Sequence, residues 1–152
     1  MKPIIVSRKI NAPLNLVFQT VSDVRMFREA VPHITNVEFL SNQQRGVGTR
    51  FRETRIMNGR EHSVDLKVTE YTENERVRLV SDAGGTIWDT VFSVTQGARN
   101  IELKMQMDIR PYRFLAGIMN VLIRGMVVKG VQSDMDAVKA FCEAGGRSAE
   151  TR

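Results

Sequence analysis

Asn58-Gly59 constrains this chain more tightly than any other pair of neighbours. The dipeptide favours the type I′ turn of a two-residue β-hairpin, in which both central residues take positive φ. Met57 then opposes Arg60, Arg55 faces His62, Glu53 faces Val64, Phe51 faces Leu66 and Thr49 faces Val68. On the other side of the ribbon Thr54 meets Ser63, Arg52 meets Asp65 and Arg50 meets Lys67. One face is mostly apolar, and the other is polar with an opposite-charge pair. A slip of one residue would scramble both faces, so turn chemistry and side-chain pattern support the same register.

The remaining elements follow from periodicity. IIVSRKI (4–10) reads as a first strand. In NAPLNLVFQTVSD, Pro13 suits the first helical position and Leu14, Val17, Phe18 and Val21 recur at helical spacing. Ser22 or Asp23 ends that helix and caps a short second one through Ala30, which Pro32 stops. Strands are expected at VEFL (37–40), on both arms of the hairpin, and at 76–81, 86–94 and 101–109. The last alternates strictly, with Ile101, Leu103, Met105, Met107 and Ile109 on one side. A hairpin connection sets Trp88, Thr90, Phe92 and Val94 beside them. Gly84-Gly85 lacks the lysine and following helix of a phosphate loop and reads as a turn.

After Pro111 nothing breaks a helix until Gly145-Gly146, which predicts one helix of about thirty residues. Its stretch FLAGIMNVLIRGMVVKGV (114–131) is apolar on more than one side, yet Asn120, Arg124 and Lys129 interrupt the run that a membrane span wants. Such a helix touches apolar matter on several sides. Laid across a curved sheet, it forms one wall of a pocket. The order strand, two helices, six strands, helix, with short connections, predicts an α+β fold built on an antiparallel sheet.

Bulk properties narrow the function classes. Residues 1–60 carry ten Lys/Arg against four Asp/Glu, and the remainder twelve against thirteen. The basic residues form no run and no stacking aromatics accompany them, so a solvated basic face is expected and no nucleic-acid partner. Cys142 is the lone cysteine and only two histidines are present, which supports neither a disulfide nor a metal site nor a nucleophile–base pair. No cofactor is expected. The N-terminus has too short an apolar run for a signal peptide, and a cytoplasmic protein is the expectation. Residues 1–144 are read as one domain and 145–152 as a disordered tail.

INAPLNLVFQTVSD (10–23), VEFL followed by GVGTRFRE (37–53), NGRE (58–61), VTEY (68–71), GGTIWDTVF (84–92) and KGVQSDMDAVKAF (129–141) together resemble the START-like helix-grip (SRPBCC) superfamily, in its polyketide cyclase/dehydrase and lipid-transport branch. The likeness spans nearly the whole chain and lies in the order and spacing of these segments. It implies a curved antiparallel sheet of about seven strands, in β-α-α-β6-α order, wrapped around the C-terminal helix with an internal apolar cavity. It does not imply one activity, since members include lipid carriers, hormone binders, cyclases, ring-hydroxylase subunits and chaperone activators.

Within that frame Glu53, Arg55 and His62 share the concave side with Phe51, Val64 and Leu66, and Arg8 is expected to join them. Glu53 or His62 is a candidate general base, with Arg55 or Arg8 stabilising an enolate. In the competing reading Glu53 is merely paired with Arg8 or Arg55 inside the sheet, because an unpaired buried charge is costly, and His62 lies at the rim. Expected ligand contacts are Arg8, Phe51, Glu53, Leu66, Trp88, Phe92, Leu103, Met105 and Met107 from the sheet, with Met119, Leu122 and Met126 from the helix. Asp89 falls on the convex face, Tyr71 and Tyr112 at edges or loops, and His33 in a loop without a partner. Three functions are consistent with this pattern. The first is a carrier or sensor of a small hydrophobic molecule such as a polyketide, isoprenoid, quinone or acyl chain. The second is a cofactor-independent cyclase or dehydratase working by proton transfer. The third is a partner-binding module using the 114–131 helix, with a homodimer among the arrangements open to it.

Overall fold

The computed structural model describes residues 2–147. Its elements run β1 (Ile4–Ile10), α1 (Leu14–Ser22), α2 (Val24–Ala30), β2 (Ile34–Phe39), β3 (Arg50–Met57), β4 (Arg60–Thr72), β5 (Arg76–Ala83), β6 (Thr86–Gln96), β7 (Ile101–Pro111) and α3 (Phe114–Glu143). All strand pairs are antiparallel, in one sheet of order β1-β7-β6-β5-β4-β3-β2. This is the α+β helix-grip arrangement. The Asn58-Gly59 hairpin forms in the expected register, its two turn residues at φ 53° and 74°. Glycine tolerates that left-handed geometry without penalty, and asparagine is among the side chains that bear it best. Across β6 and β7, Trp88, Phe92 and Val94 face Ile109, Met105 and Leu103, as the alternation requires.

Two local details differ from the sequence reading. Strand β2 begins at Ile34, three residues before VEFL, because its pairing with β3 reaches Ile34–Arg55 past an irregularity at Ile34/Asn36. Tyr71 occupies neither an edge nor a loop. A bulge between Val68 and Glu70 shifts the parity of β4, so Tyr71 joins the concave face and sets its ring 5.4 Å from Phe18. The same shift turns Glu70 outward to pair with Arg76 and Arg78.

Asp23 caps α2, its carboxylate accepting from the Arg25 backbone N–H at 3.0 Å. Phe18 and Val17 of α1 are fully buried on the sheet, and Phe27 of α2 brings its ring 6.0 Å from Phe92. In α3, Val131, Met135, Val138 and Cys142 form one buried stripe at helical spacing. Polar ties to β1 fix this half of the helix: Arg8 Nε donates to Asp136 at 2.6 Å and Lys139 Nζ to the Lys9 carbonyl at 2.6 Å. Farther up, buried Asn120 donates to Thr86 Oγ1 at 2.9 Å. By length and apolarity α3 could cross a membrane; its second half is packed on the domain, whereas only 11% of its apolar 18-residue stretch is buried there. It ends in a turn at Gly145 and Gly146, both at positive φ, and the expected tail beyond 147 lies outside the described residues.

The first half of α3 departs from expectation. Its apolar residues do not all meet apolar partners: Phe114, Leu115 and Leu122 are 82%, 76% and 73% exposed. One stripe, through Ala116 and Asn120, faces the domain and the remainder faces out.

On the convex face Asp89 is buried between two arginines. Arg78 donates to both of its carboxylate oxygens and Arg110 Nη2 reaches Oδ2 at 3.0 Å. Those hydrogen bonds, the one from Arg78 foremost, hold the Asp89 carboxyl below its usual range. A depressed carboxyl contributes stability above its unfolded pKa and loses it as pH falls through the folded value. Asp89→Asn is therefore expected to cost about 2 kcal/mol near neutral pH, less than a fully enclosed pair because both arginines reach solvent. In acid denaturation the variant and parent curves should converge below about pH 4.

Candidate functional site

The concave face of the sheet, the α1–α2 junction and α3 enclose a cavity of about 600 Å³. Its floor is mostly apolar and comes from successive strands: Phe51 of β3, Leu66 of β4, Leu79 of β5, Trp88 and Phe92 of β6 with Thr90 between them, Met105 and Met107 of β7. Val21, Val24 and Phe27 close one side, and Met126, Val127 and Met135 of α3 cover it. The exposed lining residues are Met57 and Asn58 at the hairpin tip, His33, and Met126, Lys129, Gly130 and Ser133 on α3. The mouth accordingly lies between the hairpin tip and the middle of α3, where Asn58 Nδ2 donates to Met126 Sδ at 3.5 Å.

One charged cluster interrupts the apolar lining. Arg55 Nε and Nη2 donate to Glu53 Oε1 at 3.0 and 2.7 Å, and Arg55 Nη1 donates to Asp134 Oδ2 at 3.0 Å. The three side chains are 22%, 9% and 18% exposed, so the cluster is largely withdrawn from water. Burial opposes the charge of Arg55, but the two carboxylates outweigh it and raise the guanidinium pKa above its ordinary value. Burial pushes the Asp134 carboxyl up, against the opposing pull of Arg55 and His33. Two carboxylates share one guanidinium, and the cluster retains acceptor capacity on the cavity side. It suits a ligand group that donates hydrogen bonds.

A second polar point lies across β4. Ser81, on the same face of β5 as Leu79, lines the cavity with its Oγ buried and unpartnered among the described residues. An enclosed hydroxyl without a partner is costly unless something in the cavity meets it.

Of the residues singled out from sequence, Phe51, Glu53, Arg55, Leu66, Trp88, Phe92, Met105, Met107 and Met126 line the cavity. The structure sets the others elsewhere. His62 follows the hairpin turn and is exposed, outside the lining, so it cannot act with Glu53 on an enclosed molecule. Arg8 shares the concave parity but sits on edge strand β1, with four strands between it and β3, and is held by Asp136. Leu103 is fully buried next to β1 and packs in the core. Leu122 is about 200° around α3 from inward-facing Asn120, and so faces outward. Met119 is also exposed, on the flank of Met126 but two turns nearer the start of the helix and beyond the cavity.

Sequence reasoning missed Asp134, His33, Ser81 and the α1–α2 side chains. Asp134 precedes Met135 of the inward stripe, and its place depends on the rotation of α3. That of His33 depends on β2 starting at Ile34. Among the described residues no group of His, Cys and carboxylates is arranged to hold a metal ion.

Comparison with solved structures finds the same architecture at low identity. TTHA0849 from Thermus thermophilus is 15% identical over 95% of this chain and 99% of its own, with a TM-score of 0.76. A START superfamily protein from Mycobacterium smegmatis is 16% identical over 93% and 97%, at 0.74. The di-domain ARO/CYC StfQ, from the steffimycin biosynthetic pathway, is 10% identical over 94% of this chain and 51% of its own, at 0.73. At these identities the likeness establishes the fold alone. No match is found among curated proteins. The family model described as polyketide cyclase / dehydrase and lipid transport matches residues 3–143, and with the helix-grip fold around an apolar cavity this establishes that the chain belongs to that START-like family.

Proposed function

We propose that the protein is a carrier or sensor that encloses one small hydrophobic molecule bearing polar groups. The observation that carries this reading is the cavity: about 600 Å³, within the size range of small-molecule sites, and mostly apolar, with the Glu53–Arg55–Asp134 cluster, Ser81 and Thr90 as polar points on the sheet and Ser22, His33, Asn58, Lys129 and Ser133 elsewhere in its lining. Polar points set into an apolar floor favour an oxygenated aromatic polyketide, a quinone or a hydroxylated isoprenoid over a plain acyl chain. A hydroxyl on the ligand would donate to the carboxylates and a second oxygen would meet Ser81 Oγ. Native mass spectrometry and thermal shift across a panel of these four classes test it. Retention of an oxygenated ligand supports the reading, and a panel with no retained member overturns it. Ser81→Ala should weaken an oxygenated ligand about tenfold and leave an acyl chain unaffected, as expected for one hydrogen bond to an otherwise unpaired group.

One observation favours a catalytic alternative in the same cavity. The Asp134 carboxyl, raised by burial, faces an apolar space and is suited to hold a proton for transfer, as a cofactor-independent cyclase or dehydratase requires. Glu53 is less suited, because Arg55 Nε and Nη2 both donate to one of its carboxylate oxygens and engage it in a fixed pair. The readings separate on the recovered ligand. A carrier returns it with mass and structure unchanged; an enzyme converts it, and Asp134→Asn then abolishes turnover while Glu53→Gln has the smaller effect.

A further inference from the structure

We infer that the outward face of the first half of α3 is a docking surface for an anionic lipid bilayer. Phe114, Leu115, Ile118, Val121 and Leu122 are all substantially exposed on this one stretch, and together they make an apolar patch that no described part of the chain covers. Contiguous apolar surface of this kind marks an interaction site.

Charge identifies the occupant. Between Asp108 and Asp134 the sequence holds Arg110, Arg113, Arg124 and Lys129 and no carboxylate. Arg110 is engaged by Asp89, but Arg113, Arg124 and Lys129 form no ion pair among the described residues. Arg124, one turn beyond Asn120 on the inward side, reaches the Pro3 carbonyl at 3.5 Å with its Nη1 enclosed, which leaves Arg113 and Lys129 as the cations of the outer face. Arg113 extends beside the exposed ring of Tyr112, whose hydroxyl donates to Asp82. Apolar side chains flanked by cations and an aromatic ring suit the boundary between acyl chains and anionic headgroups. A second copy is a poorer match. A two-fold interface would set this face against itself, bringing like charges together with no carboxylate on the facing stretch of α3 to separate them.

The surface adjoins the cavity. Met126 belongs both to the exposed side of α3 and to the mouth, beside the hairpin tip. A bilayer bound to the face would lie next to the opening through which an apolar molecule enters. Docking itself depends on the outer face and stands whatever the cavity holds.

The test is co-sedimentation of the full chain with vesicles of phosphatidylcholine alone or mixed with phosphatidylglycerol. Binding to the mixed vesicles, weakened by salt, is expected. Leu115→Glu/Leu122→Glu should abolish it without lowering the melting temperature, because both side chains are already in water. Arg113→Ala should weaken it several-fold, in keeping with about fivefold for each cation at the surface. Failure to bind mixed vesicles overturns the inference, as does equal binding to phosphatidylcholine alone or binding that survives the double substitution. Light scattering that finds a dimer which Leu122→Glu dissociates, from a chain that ignores vesicles, assigns the face to a second copy and also overturns it.

Discussion

Arg55→Leu is expected to destabilise the protein by about 3–5 kcal/mol at neutral pH, and to recover much of that loss in mild acid. The guanidinium is the hydrogen-bonding partner that Glu53 and Asp134 share. Without it, two carboxylates are left in an enclosed, mostly apolar space, where an uncompensated charge costs far more than the pair returned when intact. Burial already holds the Asp134 carboxyl above its ordinary value, with Arg55 the main opposing influence, so the substitution raises it further. A carboxyl raised in the folded state favours folding below its unfolded pKa and loses that advantage as pH rises through the folded value. The variant should therefore gain on the parent as pH falls from neutrality towards about 4. Urea melts at the two ends of that range measure the difference. Glu53→Gln/Arg55→Leu/Asp134→Asn, which removes all three charges together, should return close to parental stability at neutral pH. A single Arg55→Leu variant that melts like the parent at neutral pH would mean that water reaches the cluster freely.

The sheet was largely legible in the sequence because its signals were local and redundant. Asn58-Gly59 admits one tight turn, and the Phe51/Leu66 and Arg52/Asp65 pairings independently select the same register. Absence of breakers between Pro111 and Gly145 delimited α3 equally well. Parity then brought Phe51, Leu66, Trp88, Phe92, Met105 and Met107 to the concave side, where they line the cavity.

What stayed hidden depends on quantities that parity does not carry. Arg8 has the right face but the wrong distance, since the strand order that puts β1 beside β7 is a tertiary outcome. A single extra residue at the β4 bulge reverses Tyr71 and Glu70. The rotation of α3 was ambiguous in an apolar stretch, because periodicity has no contrast when most positions are apolar. Asn120, which looked like an interruption, is the residue that sets the rotation through Thr86, and it turns Leu122 out to solvent. Asp134 was passed over for the same reason: no rotation assigned from sequence placed it opposite Arg55.

Leu79→Trp is expected to abolish binding of the enclosed molecule, lowering affinity more than about a hundredfold, while costing the fold less than about 1.5 kcal/mol. Leu79 lies on β5, the fourth strand of the seven in spatial order, and its side chain faces the void from the floor. In a close-packed core an indole in place of isobutyl would force neighbours off their rotamers, at about 1–3 kcal/mol. Here the added atoms have empty space to enter, and apolar contact with Leu66 and Met107 offsets part of the strain. The ligand loses that same space. Val80→Trp is the matched control: it is one residue on, paired with Asp89 and Lys67, and by strand alternation it points to the convex side. Its effect on binding should be negligible, although it adds at least as much bulk to the same strand. Isothermal titration with whichever ligand the panel retains, beside melts of both variants, reads the contrast directly. If Leu79→Trp stayed folded and bound that ligand as tightly as the parent, the molecule would have to sit on the surface, and the enclosed cavity would not be where the protein holds it.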